Sequence, residues 1–107
     1  MILQRAALLV VGTCLAASSL AADVAAGRQK AAACTVCHGP LGLATLPDAP
    51  NLAGQSAIYL GAQLRAYRSG VRQHEVMSLM AKPLSDADID NLAAWYGSLV
   101  VEVKPPA

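Results

Sequence analysis

One segment of this 107-residue chain combines residue types and spacing that can do chemistry. In Cys34-Thr35-Val36-Cys37-His38, two thiols lie three residues apart and an imidazole directly follows the second. This CxxCH pattern is typical of covalent attachment of a c-type haem, in which the thiols bond to two vinyl groups and the histidine reaches the iron. We therefore expect one haem c, bound covalently through Cys34 and Cys37, with His38 as an axial ligand to the metal.

Three other uses of a cysteine pair are weaker interpretations. Redox dithiol chemistry expects a βαβ context, and no such pattern is found around Cys34 and Cys37. A four-ligand zinc site needs two more ligands, and His74 is the only other His or Cys after residue 22. A structural disulfide would leave the adjacent His38 unexplained, so haem attachment is the favoured hypothesis.

The second axial ligand has three candidates downstream, His74, Met77 and Met80. They fall in a segment, 71–83, that we interpret as a loop between helices, where the chain can bring a sulfur over the iron. His74 has charged and polar neighbours and is more typical of a surface residue. The spacing alone does not choose between Met77 and Met80.

The first 22 residues are typical of a secretory signal peptide. A single positive residue, Arg5, precedes an apolar run that is shorter than the roughly 20 residues of a membrane-spanning helix, and small residues follow it. We predict cleavage after Ala21 or Ala22, loss of Cys14 with the leader, and a monohaem domain at 23–107 in the periplasm. An uncleaved membrane anchor is the weaker alternative.

Composition limits the remaining function classes. The net charge is +1 and only 14% of residues are charged, which argues against a nucleic-acid-binding protein. Removing 22 of 107 residues leaves 85, with seven basic and seven acidic side chains. These 85 residues contain only four aromatic side chains, so we expect the porphyrin to supply much of the buried apolar mass.

The helices that must position the haem have recognisable ends. Residues 23–33 are rich in Ala and predict a first helix that runs into Cys34. A loop rich in Gly and Pro follows, and Ser56 and Gly70 are placed to begin and end a second helix. Ser85, with Asp88 three residues later, predicts a capping box for the last helix. Its expected buried stripe is Ile89, Leu92, Ala93 and Tyr96.

No segment alternates with a period of two residues for long enough to form a strand. The sequence therefore predicts an all-α domain with about three main helices around one covalently bound haem.

The chain resembles the class I cytochromes c, and within them the small bacterial group that includes cytochrome c-553 and the single domains of cytochrome c4. The resemblance spans nearly all of the chain after the predicted leader. It rests on Cys34-Thr35-Val36-Cys37-His38-Gly39, Pro50-Asn51-Leu52-Ala53-Gly54-Gln55, Tyr59-Leu60, Gln63-Leu64, Gly70, Arg72, Pro83-Leu84-Ser85-Asp86, Asp88-Ile89 and Leu92-Ala93-Ala94-Trp95-Tyr96.

This resemblance implies roles for particular residues. Counted back from the start of the last helix, Met77 falls where the family's axial methionine lies, and Met80 falls at a variable apolar position. Pro50 matches the proline whose carbonyl accepts a hydrogen bond from the proximal histidine, which fixes the ring and raises its basicity. Gly27 and Trp95 match the close crossing of the first and last helices.

We therefore expect a single-electron carrier that serves redox partner proteins and catalyses no reaction itself. Near-neutral charge predicts weak, transient docking, with the protein a monomer or part of a weak complex, without nucleic acid and without a membrane span once the leader is removed. A first alternative is a haem subunit permanently associated with a periplasmic dehydrogenase or oxidase. A second is an enzyme or gas sensor with a labile sixth position, against which a methionine at the ligand position argues.

Overall fold

The computed structural model describes Gly12 and residues 21–107. The predicted leader lies outside the described residues except at Gly12, Ala21 and Ala22, and stays a prediction. None of the helices in the described part is long and apolar enough to cross a membrane. In chain order the helices are α1 (Val24–Lys30), a 3₁₀ turn (Ala31–Cys34), α2 (Thr35–His38), α3 (Ala57–Ser69), α4 (Met77–Ala81) and α5 (Asp86–Ser98). Residues 21–107 contain no strand, and the predicted all-α fold is confirmed.

Helices α1 and α5 cross at close range. A Cβ atom on the buried Gly27 would overlap the carbonyl of Asn91 and lie 2.9 Å from the Cβ of Trp95, so only glycine allows this approach. Asp23 secures the entry to α1, because its carboxylate accepts a hydrogen bond from the Ala26 N–H at 3.0 Å. The Asp23 N–H donates to the Asn91 side chain at 2.8 Å, which ties the start of α1 to the middle of α5.

Helix α5 is the central element of the core. It begins in the predicted capping box, in which the Ser85 hydroxyl accepts from the Asp88 N–H and the Asp88 carboxylate accepts from the Ser85 N–H, each at 3.0 Å. This arrangement satisfies N–H groups at the helix start. Its inward face packs against α1 and α3, and the predicted stripe is buried together with one further aromatic residue: Ile89, Leu92, Ala93, Trp95 and Tyr96.

Helix α3 has the predicted ends. Ser56 caps its first turn, and Gly70 ends it with a φ of 85°, in the left-handed region that favours glycine. Two arginines on its outer side pair with α5, Arg65 with Asp90 at 2.7 Å and Arg68 with Asp86 at 2.6 Å. These pairs are solvent-exposed and orient the two helices more than they stabilise them.

The structure differs from the sequence-based expectation in two places. Residues 77–81, expected within a loop, form the short helix α4, because this stretch contains no Gly or Pro and its first N–H groups find an acceptor in a side chain upstream. The first helix does not stay α-helical as far as Ala33. It tightens after Lys30 into the 3₁₀ turn Ala31–Cys34, a common ending for an α-helix.

Candidate haem-binding site

The two cysteines lie on consecutive turns of the chain. Cys34 ends the 3₁₀ turn and Cys37 lies in α2, so their three-residue spacing places both side chains on the same side of the helix. Both thiols are free and half-buried. Burial raises the pKa of the Cys34 thiol, against the lowering effect of the Tyr96 side chain. The Cys34 side chain is therefore held mainly as the neutral thiol.

His38 follows the cysteines at the end of α2 and is buried, with 6% of its surface exposed. Its Nδ1 atom lies 2.8 Å from the carbonyl oxygen of Pro50. A carbonyl only accepts hydrogen bonds, so Nδ1 carries the ring proton and Nε2 keeps a free lone pair. The structure thus brings together two residues predicted for the site and leaves His38 in the tautomer that binds a metal through Nε2.

The loop between α2 and α3 is folded so that Pro50 reaches the histidine. The Gly42 carbonyl accepts from the Leu52 and Ala53 N–H groups, at 2.7 and 3.0 Å, which closes the loop on itself. Gly42 has a φ of 78°, and a Cβ there would lie 2.8 Å from the Ala53 nitrogen and 2.9 Å from the ring of Tyr96. Glycine is therefore required where the loop passes α5.

The two candidate methionines lie on α4, one turn apart. Met77 is its first residue and is half-buried, whereas Met80 is 39% exposed. The fully buried Ala81 anchors the other end of the helix. The exposed His74 precedes the helix, and its Nδ1 atom accepts hydrogen bonds from the N–H groups of Val76 and Met77. His74 is at the surface as its sequence neighbours predict, but those neighbours give no sign of this contact with the start of α4.

Several large apolar side chains close in sequence to the candidate ligands are exposed. They belong to the loop after His38 and to α4, and include Leu41, Leu43, Leu79 and Met80. The Tyr96 hydroxyl is buried beside the Cys34 thiol and makes no hydrogen bond to any other residue in the described part of the chain. The protein core is correspondingly thin, and Ile89 is the only large side chain among the described residues that is fully buried. A thin core and exposed apolar side chains in the segments that carry the candidate ligands fit a protein completed by a large apolar group.

The donor set fits a haem better than zinc. Two free thiols on one helix turn, an imidazole with Nε2 available and thioether sulfurs on α4 are the groups that attach and ligate a c-type haem. Across residues 21–107, no three or more His, Cys, Asp or Glu side chains come together as a zinc site would require. The geometry therefore defines a small c-type cytochrome.

Comparison with known proteins agrees with this class. Residues 24–99 match the family described as Cytochrome c. The chain belongs to the cytochrome c family. Electron transfer by a c-type haem is the function of this family, and its haem c is bound covalently through two cysteines, for which Cys34 and Cys37 have the required spacing.

Among similar proteins, cytochrome c-554(548) of Halomonas halodenitrificans is 47% identical over 81 residues, which cover 73% of this chain and 98% of that protein. The thiosulfate dehydrogenase electron acceptor of Thiomonas intermedia is 45% identical over 86 residues, covering 78% of this chain but 39% of that protein. The solved structure of reduced cytochrome c4 from Pseudomonas stutzeri superposes with a TM-score of 0.72 at 37% identity, covering 78% of this chain and 48% of the other. The chain thus corresponds to nearly all of the first protein and to less than half of the other two.

Proposed function

We propose that this protein is a periplasmic single-electron carrier with His38 and Met77 as axial ligands. The observation that carries the proposal is the 2.8 Å contact between His38 Nδ1 and the Pro50 carbonyl, which leaves Nε2 available to the metal. When bound, the haem iron supplies one-electron exchange between its ferric and ferrous states. The chain's own contribution is to hold the ligands, shield the site from water and present one edge to a partner.

Pro50 keeps the proximal ligand in place. Its carbonyl fixes the orientation and tautomer of the His38 ring, and the accepted hydrogen bond makes the imidazole a stronger donor to the metal. His38 is buried, so water does not compete for the Nδ1 proton. A ligand held in this way changes little between oxidation states, which suits rapid electron transfer.

Met77 is the methionine we assign to the other axial position. It is more buried than Met80 and stands at the beginning of α4, where its backbone N–H is held by His74. The family resemblance supports the same position for the axial methionine. With both axial positions taken by side chains, no site is left for a substrate, which supports a carrier and not an enzyme.

Optical and EPR spectra of the holoprotein test this ligand assignment. Met77→Ala is expected to lose the low-spin thioether signature, while the matched Met80→Ala variant keeps it, because only one sulfur occupies the axial position. The reverse result would transfer the assignment to Met80. Prompt binding of carbon monoxide to the unsubstituted ferrous protein at neutral pH would contradict a closed, two-ligand site.

The leader, periplasmic location and free-carrier state belong to the same proposal. A protein cleaved after Ala21 or Ala22 and recovered with haem from the periplasm would support them. The similarity to a thiosulfate dehydrogenase electron acceptor is consistent with a second candidate function, a haem subunit that stays associated with a dehydrogenase. Gel filtration of the native protein at low concentration separates the two, since only a permanent subunit co-elutes with its enzyme.

A further inference from the structure

Helix α4 begins with an unusual N-terminal contact. Its first N–H groups need acceptors, and the side chain of the residue before it, Val76, supplies none. The imidazole of His74 does so instead, with Nδ1 3.1 Å from the Val76 nitrogen and 3.2 Å from the Met77 nitrogen. A helix of five residues is too short to be stable alone, so this cap matters more here than in a long helix.

The backbone of His74 is itself held in place. Its backbone N–H donates to the Ser78 hydroxyl at 3.0 Å, and its backbone carbonyl accepts from the Ser78 N–H at 3.0 Å. Its ring meets the ring of Tyr67 edge-on, with centroids 6.5 Å apart and planes at 75°. Tyr67 belongs to α3, so His74 links the start of α4 to the neighbouring helix. Because Nδ1 accepts both hydrogen bonds, the ring proton lies on Nε2.

We propose that His74 is a positioning residue for the axial methionine. One of its two hydrogen bonds ends on the backbone N–H of Met77 itself, so the imidazole fixes the point from which the sulfur extends. Loss of this acceptor leaves two N–H groups unpaired at the start of α4 and frees the helix to move away from the haem. This inference rests on the proposed ligation by Met77 and assigns His74 no direct contact with the metal.

Added imidazole competes with the axial methionine for the sixth position of the ferric holoprotein. Its affinity therefore measures how firmly the methionine is held. His74→Ala is expected to bind imidazole about tenfold more tightly than the unsubstituted protein, since two hydrogen bonds that favour the methionine-bound state are lost. His74→Asn is expected to restore most of the difference, because an asparagine carbonyl accepts from N–H groups two and three residues later. The reduction potential and the thioether signature are recorded for the same variants.

Gln73→Ala is the matched control. Gln73 is exposed in the same segment, and its side chain contacts the Gly70 carbonyl rather than α4, so imidazole affinity should not change. Equal affinities in His74→Ala and Gln73→Ala would overturn the positioning role and leave the proposed ligation intact. A thioether signature that survives in Met77→Ala would instead overturn the ligation and the positioning role together. If imidazole affinity rose in His74→Ala and stayed equally high in His74→Asn, the result would also contradict a capping role for His74.

Discussion

Two regions of this protein are built in different ways. The crossing of α1 and α5 is a close contact between helices, with Gly27 against the backbone of α5 and a buried aliphatic and aromatic stripe around it. Helix α4, by contrast, buries Ala81 but leaves Leu79 71% exposed, and one imidazole from the preceding segment caps its start.

This difference between the two regions means that one set of residues determines the stability of the fold and another determines the axial ligands. Substitutions at the crossing remove packing that the whole fold shares, so they should lower the free energy of unfolding without changing the axial ligands. Substitutions on or before α4 should change the ligands while costing the fold little, because few protein contacts are lost there.

The largest effect is expected for Gly27→Val. The new side chain would overlap the Asn91 carbonyl, so the helices must separate, at a cost of about 4 kcal/mol or more in the free energy of unfolding. Denaturant unfolding of the holoprotein measures it. Gly70→Ala is the control, because a Cβ there meets no atom within 4 Å and only its left-handed backbone is strained, for about 1 kcal/mol. If the two variants were equally stable, the crossing would not be the close contact described above.

The second prediction concerns Ile89, which is fully buried on α5. Ile89→Ala is expected to lower the free energy of unfolding by about 3 kcal/mol, from lost burial and the cavity left behind. The low-spin thioether spectrum should be unchanged, because Ile89 lies on α5 and is neither a candidate ligand nor part of α4. Ile58→Ala is the matched control on α3, where the side chain is 87% exposed and the expected change is below about 0.5 kcal/mol. A spectrum altered in Ile89→Ala would show that stability and ligation are not separable.

The same division explains what could be predicted from the sequence. The caps at Ser56, Gly70 and Ser85 and the stripe on α5 follow local rules, in which residue type and spacing determine the structure. The CxxCH segment is equally local, because a single helix turn carries all three groups. These features were predicted from residue types, and the structure contains each of them.

The features that the residue pattern did not show depend on contacts between distant residues or on weak local preference. The hydrogen bond from His38 to Pro50 joins residues 12 positions apart and was expected only from the family resemblance. Helix α4 was missed because five residues give no periodic signal and its cap is a histidine, which is not among the preferred capping residues. Residue spacing did not choose between Met77 and Met80 for the same reason, since both lie on that one short helix.

The smallest effect is expected at the start of α5, where Asp88 completes the capping box. The hydrogen bond from the Ser85 N–H, with smaller contributions from the Ser85 hydroxyl and Lys30, holds the pKa of the Asp88 carboxyl below its usual value. A carboxyl whose pKa is lowered by folding stabilises the protein above its unfolded pKa of about 3.9, and this stabilisation is lost as the pH falls through the folded pKa. Asp88→Asn, which cannot ionise but keeps an acceptor oxygen, should therefore be less stable than the unsubstituted protein at pH 7, by about 0.5 kcal/mol.

Unfolding measured between pH 7 and pH 3 checks both the size and the sign of this difference. The gap between Asp88→Asn and the unsubstituted protein should be widest at neutral pH and close progressively in acid, as the carboxylate is protonated. Asp48→Asn, in the exposed loop before Pro50, serves as the control and should show no comparable gap. A gap that widened in acid would mean that the Asp88 carboxylate opposes folding, and the start of α5 would then owe its stability to the Ser85 hydroxyl alone.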